Sequence, residues 1–215
     1  MVTYKMHLIR TGGTDVGETR KFVGQLDLPL HPEKEKELAA LARHFLYPQV
    51  EMLFSSPLTR CTKTAEILYP NTLTETLEDL SDMHLGRFEG KTFEQLRGDP
   101  DFSLWIHNSA AHTPPGGESA GEFAARIGYA VSSIFQRMMD EGMRDVAVVT
   151  HNGVIMTLLA AIGLPKRPLN DWVTPNGHGF TLLFTPEMWM RDRSAEVFAL
   201  IPQELPESRE DFDFD

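Results

Sequence analysis

Three side chains able to hold an anion stand where apolar runs end. Arg10 follows residues 2–9, Arg60 lies just beyond Met52-Leu53-Phe54 and Ser55-Ser56-Pro57, and His151 comes straight after Val146-Ala147-Val148-Val149-Thr150. A guanidinium presents a planar fork of donors that matches two oxygens of a phosphate or carboxylate. An imidazole at such a place either donates to the anion or moves a proton. Ser56 and the backbone N–H groups around Gly12 and Gly13 add uncharged donors. Each residue also has an ordinary reading: most arginines are simply solvated, and His151 on spacing alone suits a structural histidine equally well. The other seven histidines (His7, His31, His44, His84, His107, His112 and His178) show no metal-ligand spacing. Neither a metal nor a cofactor is therefore expected.

These residues need elements to position them. Residues 2–9 read as a strand that runs into the turn-prone Arg10-Thr11-Gly12-Gly13-Thr14. Residues 32–46 place Leu38, Leu41, Ala42 and Phe45 on one helical face, with Pro32 suited to the first turn. Met52-Leu53-Phe54 predicts a buried strand, and the helix after it carries Arg60, Thr64 and Leu68 at intervals of four. Residues 71–115 hold Gly86, Gly90, Gly98, Pro100, Pro114 and Pro115 and read as a loop-rich excursion, with short helices near 93–96 and 102–106. Phe123, Ile127, Ala130, Val131, Ile134 and Met138 mark a long amphipathic helix. The valine run at 146–149 fits a central strand covered on both faces. An apolar helix to Ile162 and strands at 180–184 and 196–201 complete the pattern.

Alternation of strands and helices predicts an α/β fold: a three-layer sandwich with a mostly parallel central sheet and helices on both faces. In such sheets, sites gather beyond the carboxyl ends of strands, where Arg10, Arg60 and His151 all fall. The expected organisation is one domain over residues 1–202 and an acidic tail over 203–215.

Composition bounds the function. With 41% hydrophobic and 24% charged residues among 215, the chain is globular and large enough to fold without covalent staples. Cys61 is the single cysteine, which excludes an internal disulfide and fits a reducing compartment. The first residues lack the charged head and apolar core of a secretory leader, so a cytoplasmic location is expected. No apolar run approaches the roughly 18 residues of a membrane span. The formal charge of −11 disfavours nucleic acid, whose phosphates such a surface repels. Six acids and Arg209 give the tail a charge of −5, so about half of the acidity lies outside the body. Against that field, two arginines and a histidine gathered at strand ends would make a local anion trap.

In series, the segments resemble the histidine phosphatase superfamily, which includes the cofactor-dependent phosphoglycerate mutases. Arg10-Thr11-Gly12-Gly13-Thr14 is similar to its Arg-His-Gly-(Glu or Gln)-Thr, and Gly24-Gln25-Leu26-Asp27-Leu28-Pro29-Leu30 to its Gly-x-x-Asp-x-Pro-Leu. Ser55-Ser56-Pro57-Leu58-Thr59-Arg60-Cys61-Thr62-Lys63-Thr64-Ala65 resembles Ser-Ser-Pro-x-x-Arg-Ala-x-x-Thr-Ala. Leu85-Gly86-Arg87-Phe88-Glu89-Gly90, Pro115-Gly116-Gly117-Glu118-Ser119 and Val148-Val149-Thr150-His151-Asn152-Gly153-Val154 complete the set.

The resemblance implies a phosphoglycerate mutase-like fold and a mechanism in which a histidine after the first arginine takes the phosphoryl group of a monoester. Arg10, Arg60 and His151, with Gly12, fall on the phosphate-holding positions. Asp82 falls where the family has its general acid, usually glutamate, with Glu78 and Asp79 as nearby alternatives. Thr11 stands at the nucleophile position, and Gly13 and Asn152 are further departures. A threonine hydroxyl needs a general base or a metal before it attacks. The expected function is therefore binding of a small phosphorylated molecule or inorganic phosphate, with phosphatase activity lost or much reduced. The alternatives are an active phosphomonoester hydrolase, using water or a histidine in the parent sequence, and a non-catalytic interaction scaffold. The excursion at 71–115 is short for a mutase. It holds Phe102, Trp105 and His107 where the family's substrate loops lie.

Overall fold

In the computed structural model, residues 2–14 and 21–204 are described. Most of the tail, residues 205–215, therefore lies outside the described residues. The predicted architecture is found. Strands β1 (Tyr4–Arg10), β2 (Phe45–Leu46), β3 (Met52–Ser55), β4 (Thr74–Thr76), β5 (Asp145–Thr150), β6 (Gly163–Leu164), β7 (Gly179–Phe184), β8 (Ala195–Ile201) and β9 (Gln203–Glu204) alternate with helices. The helices are α1 (Pro32–His44), α2 (Thr59–Leu68), α3 (Phe93–Leu96), α4 (Pro100–His107), α5 (Ala120–Glu141), α6 (Asn152–Ile162) and α7 (Pro186–Asp192).

Among the described residues the main sheet has seven strands, in the order β4-β3-β5-β1-β7-β8-β6. β1, β3, β4 and β5 are mutually parallel neighbours, whereas β7 runs antiparallel to both β1 and β8. The register of β1 on β5 sets Arg10 beside Thr150, so the loops after both strands leave the sheet at one level.

Side-chain alternation explains the layers. Met6, Leu8, Phe54, Val146 and Val148 face the core under α5 and α6, while Ile9, Leu53, Ala147 and Val149 face the opposite core under α1 and α2. Each fully buried leucine, valine or phenylalanine contributes about 1.5–3 kcal/mol by leaving water. Helix α5 starts at a capping box of Ser119 and Glu122 and ends at Gly142 in the left-handed region.

The excursion holds a third, smaller core of Leu85, Phe88, Leu96, Phe102 and Trp105, with Phe88 edge-on to Phe102 at 5.3 Å. Phe102 and Trp105 are thus committed to packing rather than offered to a ligand. His107, at the end of α4, is engaged by the Ser103 carbonyl of its own helix. Gln203 and Glu204, the first residues of the expected tail, pair with β2.

Candidate active site

Every strand that ends at the site delivers one element of it. β1 delivers Arg10 and Thr11. The Arg10 N–H donates to His178 at 2.8 Å and its carbonyl accepts from Gly177 at 2.9 Å, which locks the strand end against the loop before β7. Its guanidinium donates to the Thr174 carbonyl and faces Asp82; burial holds it below the usual guanidinium value while Asp82 acts the other way.

β3 leads through Ser55 and Ser56 into α2. The N-cap position of that helix, Leu58, has no side-chain acceptor. Asp27 supplies one from another segment: its carboxylate accepts from the Thr59 N–H at 2.7 Å and from the Thr59 hydroxyl at 2.8 Å. Arg60 follows and is almost wholly enclosed, with 4% of its side chain exposed. It donates through Nη1 to the Leu26 carbonyl at 2.7 Å, through Nη2 to the Gly24 carbonyl at 2.8 Å, and through Nε to His151 Nδ1 at 3.3 Å. Since a guanidinium has five N–H groups, each Nη keeps one for a ligand.

β5 delivers His151 as the N-cap residue of α6. Because Nδ1 accepts from Arg60, the ring proton sits on Nε2, which donates to Ser56 Oγ at 2.9 Å. Burial and the charges of Arg60 and Arg126 hold its pKa well below the ordinary 6.5, so the imidazole is neutral.

Asp82 completes the cluster, with Oδ2 3.8 Å from both Arg60 Nη2 and His151 Nδ1. Its side chain keeps 26% exposure, so it opens to the same space as the arginines. Burial pushes its carboxyl up to about 6, against the pull of Arg60, the Met83 N–H, Arg126 and Arg10. A carboxyl in that range is able to give up a proton near neutral pH. Its loop is held by Arg126 of α5, which donates to the carbonyls of Asp79 and Ser81 at 2.9 Å and of Asp82 at 3.2 Å. Glu118 anchors that arginine at 2.6 Å. Glu89 ties two loops together, accepting from the N–H groups of Gln25 and Leu85 at 2.9 Å each. Gly24 lies under it at φ +54, where a Cβ would come within 2.4 Å of the Glu89 carboxylate.

Thr11 is buried. Its hydroxyl donates to the Arg60 carbonyl at 2.8 Å and lies 3.3 Å from Thr64 Oγ1.

Of the residues singled out from sequence, Arg10, Thr11, Arg60, Asp82, His151 and Ser56 converge. Gly12 differs: its N–H is spent on Thr64 Oγ1 at 2.9 Å and is not free for an anion, because α2 packs directly against the turn. Glu78 is exposed on a short turn, and Asp79 meets the site only through its carbonyl. Sequence reasoning missed Arg126, Thr174 and Asn176, whose Nδ2 donates to the Thr11 carbonyl at 2.7 Å. Arg126 carried no local signal, since its partner Glu118 stands eight residues away, before the α5 capping box. The loop residues carried none.

Comparison with known proteins places this geometry. The family described as the histidine phosphatase superfamily (branch 1) matches residues 6–195. A glucosyl-3-phosphoglycerate phosphatase of Mycobacterium tuberculosis is 32% identical over 183 residues, covering 81% of each chain. The native structure of a mycobacterial glucosyl-3-phosphoglycerate phosphatase superposes with a TM-score of 0.74 at 26% identity, covering 95% of this chain and 100% of that one. The alpha-ribazole phosphatase of Shigella flexneri has the same fold, with a TM-score of 0.76 at 19% identity over 91% of this chain and 95% of its own. With residues 6–195 matched by that family and a relative 32% identical over 81% of each chain, the chain belongs to the histidine phosphatase superfamily, branch 1.

Proposed function

We propose that this protein binds the phosphate of a small monoester, or inorganic phosphate, among Arg10, Arg60 and His151, with hydrolysis lost or much reduced. Thr11 is read as standing where the family pattern has its nucleophilic histidine. One observation carries the reading: the Thr11 hydroxyl gives its proton to the Arg60 carbonyl rather than to a base. The imidazole of the cluster has its lone pair engaged by Arg60 and its proton by Ser56, so it is not poised to activate an alcohol.

A second chemical argument supports the loss. A phosphohistidine hydrolyses readily, whereas a phosphothreonine is an alkyl ester like the substrate and would stall. Phosphate monoesters resist water so strongly that their enzymes supply accelerations up to about 10²¹-fold, so losing the covalent route is a large change. The ligand class is supported by a relative named as a glucosyl-3-phosphoglycerate phosphatase.

The Asp82 carboxyl near 6 favours a second reading, slow hydrolysis by water with Asp82 protonating the leaving oxygen. Phosphate titration followed by thermal unfolding, together with a panel of monoesters, tests both. Phosphate stabilises the native protein and not Arg10→Ala, and no monoester is turned over at an ordinary enzymatic rate. Turnover of about 1–10³ s⁻¹ that Arg10→Ala abolishes would overturn the proposal.

A further inference from the structure

We infer that the outer edge of β8 is an interface for a second copy of this chain, paired antiparallel about a two-fold axis at Ala199. The two edges of the main sheet are unlike. At one edge β4 is three residues long, and its central Glu75 is paired with Arg137 of α5, so charge guards the strand. At the other, β6 is two residues long and covers only Ala195 and Glu196 of β8. β7 takes the inner edge of β8. Among the described residues, no backbone partner reaches the outer edge of residues 197–201.

That free edge reads Val-Phe-Ala-Leu-Ile, with no charge and no proline. Phe198 is 61% and Leu200 68% exposed, two residues apart and so on one face of the sheet. An apolar strand that offers unpaired N–H and C=O groups is a template for another strand.

The shape of the edge selects that strand. A partner must enter a notch five residues long, closed at one end by β6. The free edge of a second copy is also five residues long, because its own β6 covers the rest. Antiparallel pairing centred on Ala199 sets Phe198 opposite the partner's Leu200 and Leu200 opposite the partner's Phe198. Val197 then meets the partner's Ile201. These are the cross-strand apolar pairs that stabilise a sheet. In this register the partner's β6 falls where β8 has ended. The chain vacates that place, since Gln203 and Glu204 pair with β2 in a separate sheet. The contact uses the same patch on both copies, so it closes as a dimer rather than a fibre. The chain carries −11, but the seam is neutral; the one acid of β8, Glu196, lies beyond the paired residues.

Sedimentation equilibrium of the full chain tests this. The native protein is expected at twice the chain mass, with a dimer Kd on the order of 1 μM. Phe198→Lys combined with Leu200→Lys puts like charges opposite each other twice and should raise that Kd at least about 100-fold. Phe198→Lys combined with Leu200→Glu puts opposite charges across the same pairs. It should regain at least about tenfold at low salt and lose that gain in about 0.5 M NaCl. Hydrogen exchange reads the native protein without any substitution. Amides within residues 197–201 should exchange more slowly as concentration rises through the Kd, while those of β4 do not change.

A native protein that stays monomeric at about 100 μM overturns the proposal. If Phe212→Ser with Phe214→Ser then makes it dimerise, the edge belongs to residues 205–215 of the same chain. A dimer whose Kd responds alike to the two charge patterns, or whose amides at 197–201 are indifferent to concentration, is built on another face or register and overturns it as well.

Discussion

Two buried histidines belong to the same parallel strand pair and have opposite surroundings. His7 is the central residue of β1, opposite Ala147, and is 2% exposed; His151 follows the last residue of β5 and is 1% exposed. Burial lowers the pKa of both. His7, however, meets the Thr181 hydroxyl at 3.0 Å and has the Asp145 carboxylate 3.5 Å from Nε2, which pulls its pKa back up. His151 faces Arg60 and Arg126, which lower its pKa further. One end of the sheet is a balanced cluster of Lys5, Asp145 and His7, whereas the other gathers cations around a single reluctant carboxylate. Positive charge held in place in excess of its counterions, here Asp82 and the Glu118 that anchors Arg126, is what an anion site requires.

Replacing a member of each cluster tests that contrast. Arg60→Met should have the largest effect, lowering stability by about 3–5 kcal/mol in urea unfolding, since it strands two buried carbonyls and the His151 lone pair. It should also abolish stabilisation by sulfate. Next in size, sulfate at 100 times its Kd should add about 2.7 kcal/mol to the native protein and to His7→Leu, but nothing to Arg10→Ala. His7→Leu itself should cost about 1–2 kcal/mol, the loss of partners for Thr181 and Asp145. If His7→Leu weakens sulfate as much as Arg10→Ala does, the division between the two ends is wrong.

The smallest effect is on pH dependence. Asp82 faces Arg60, Arg126, Arg10 and His151, and its folded pKa is raised from 3.8 to about 6. Between those values the folded protein keeps a proton that the unfolded chain releases. The stability from this group is therefore full below 3.8 and is lost as pH rises to about 6. Protonation also removes the negative charge beside the arginines. Sulfate, whose charge is constant here, should accordingly bind several-fold more tightly at pH 5 than at pH 7.5, and Asp82→Asn should flatten that profile. His151, held well below 6.5, should add no step.

Much of this was legible in the residues. The valine run of β5 and the leucine face of α1 could form only a central strand and a core-facing helix, because burial fixes their periodicity. The strand-end positions of Arg10, Arg60 and His151 followed from that alternation. What escaped had weak local signals. β4 is Thr-Glu-Thr, polar and short, and is a strand only because β3 offers it an edge. Helix α7 is the exception, since its start, Thr185 before Pro186, is readable in the residues. Arg126 looks like any charge on a helix surface until the fold brings three carbonyls of the Asp82 loop to it. A free N–H is the default expectation in a glycine turn, which points Gly12 at the anion; Thr64, 52 residues away, takes that N–H instead.

Phosphate release from a panel of small monoesters by the native protein separates a phosphate pocket with hydrolysis lost or much reduced from an ordinary phosphatase. Release well below about 1 s⁻¹ is expected, while sulfate still stabilises the native protein. Release at about 1 s⁻¹ or faster, abolished in Arg10→Ala, would contradict it.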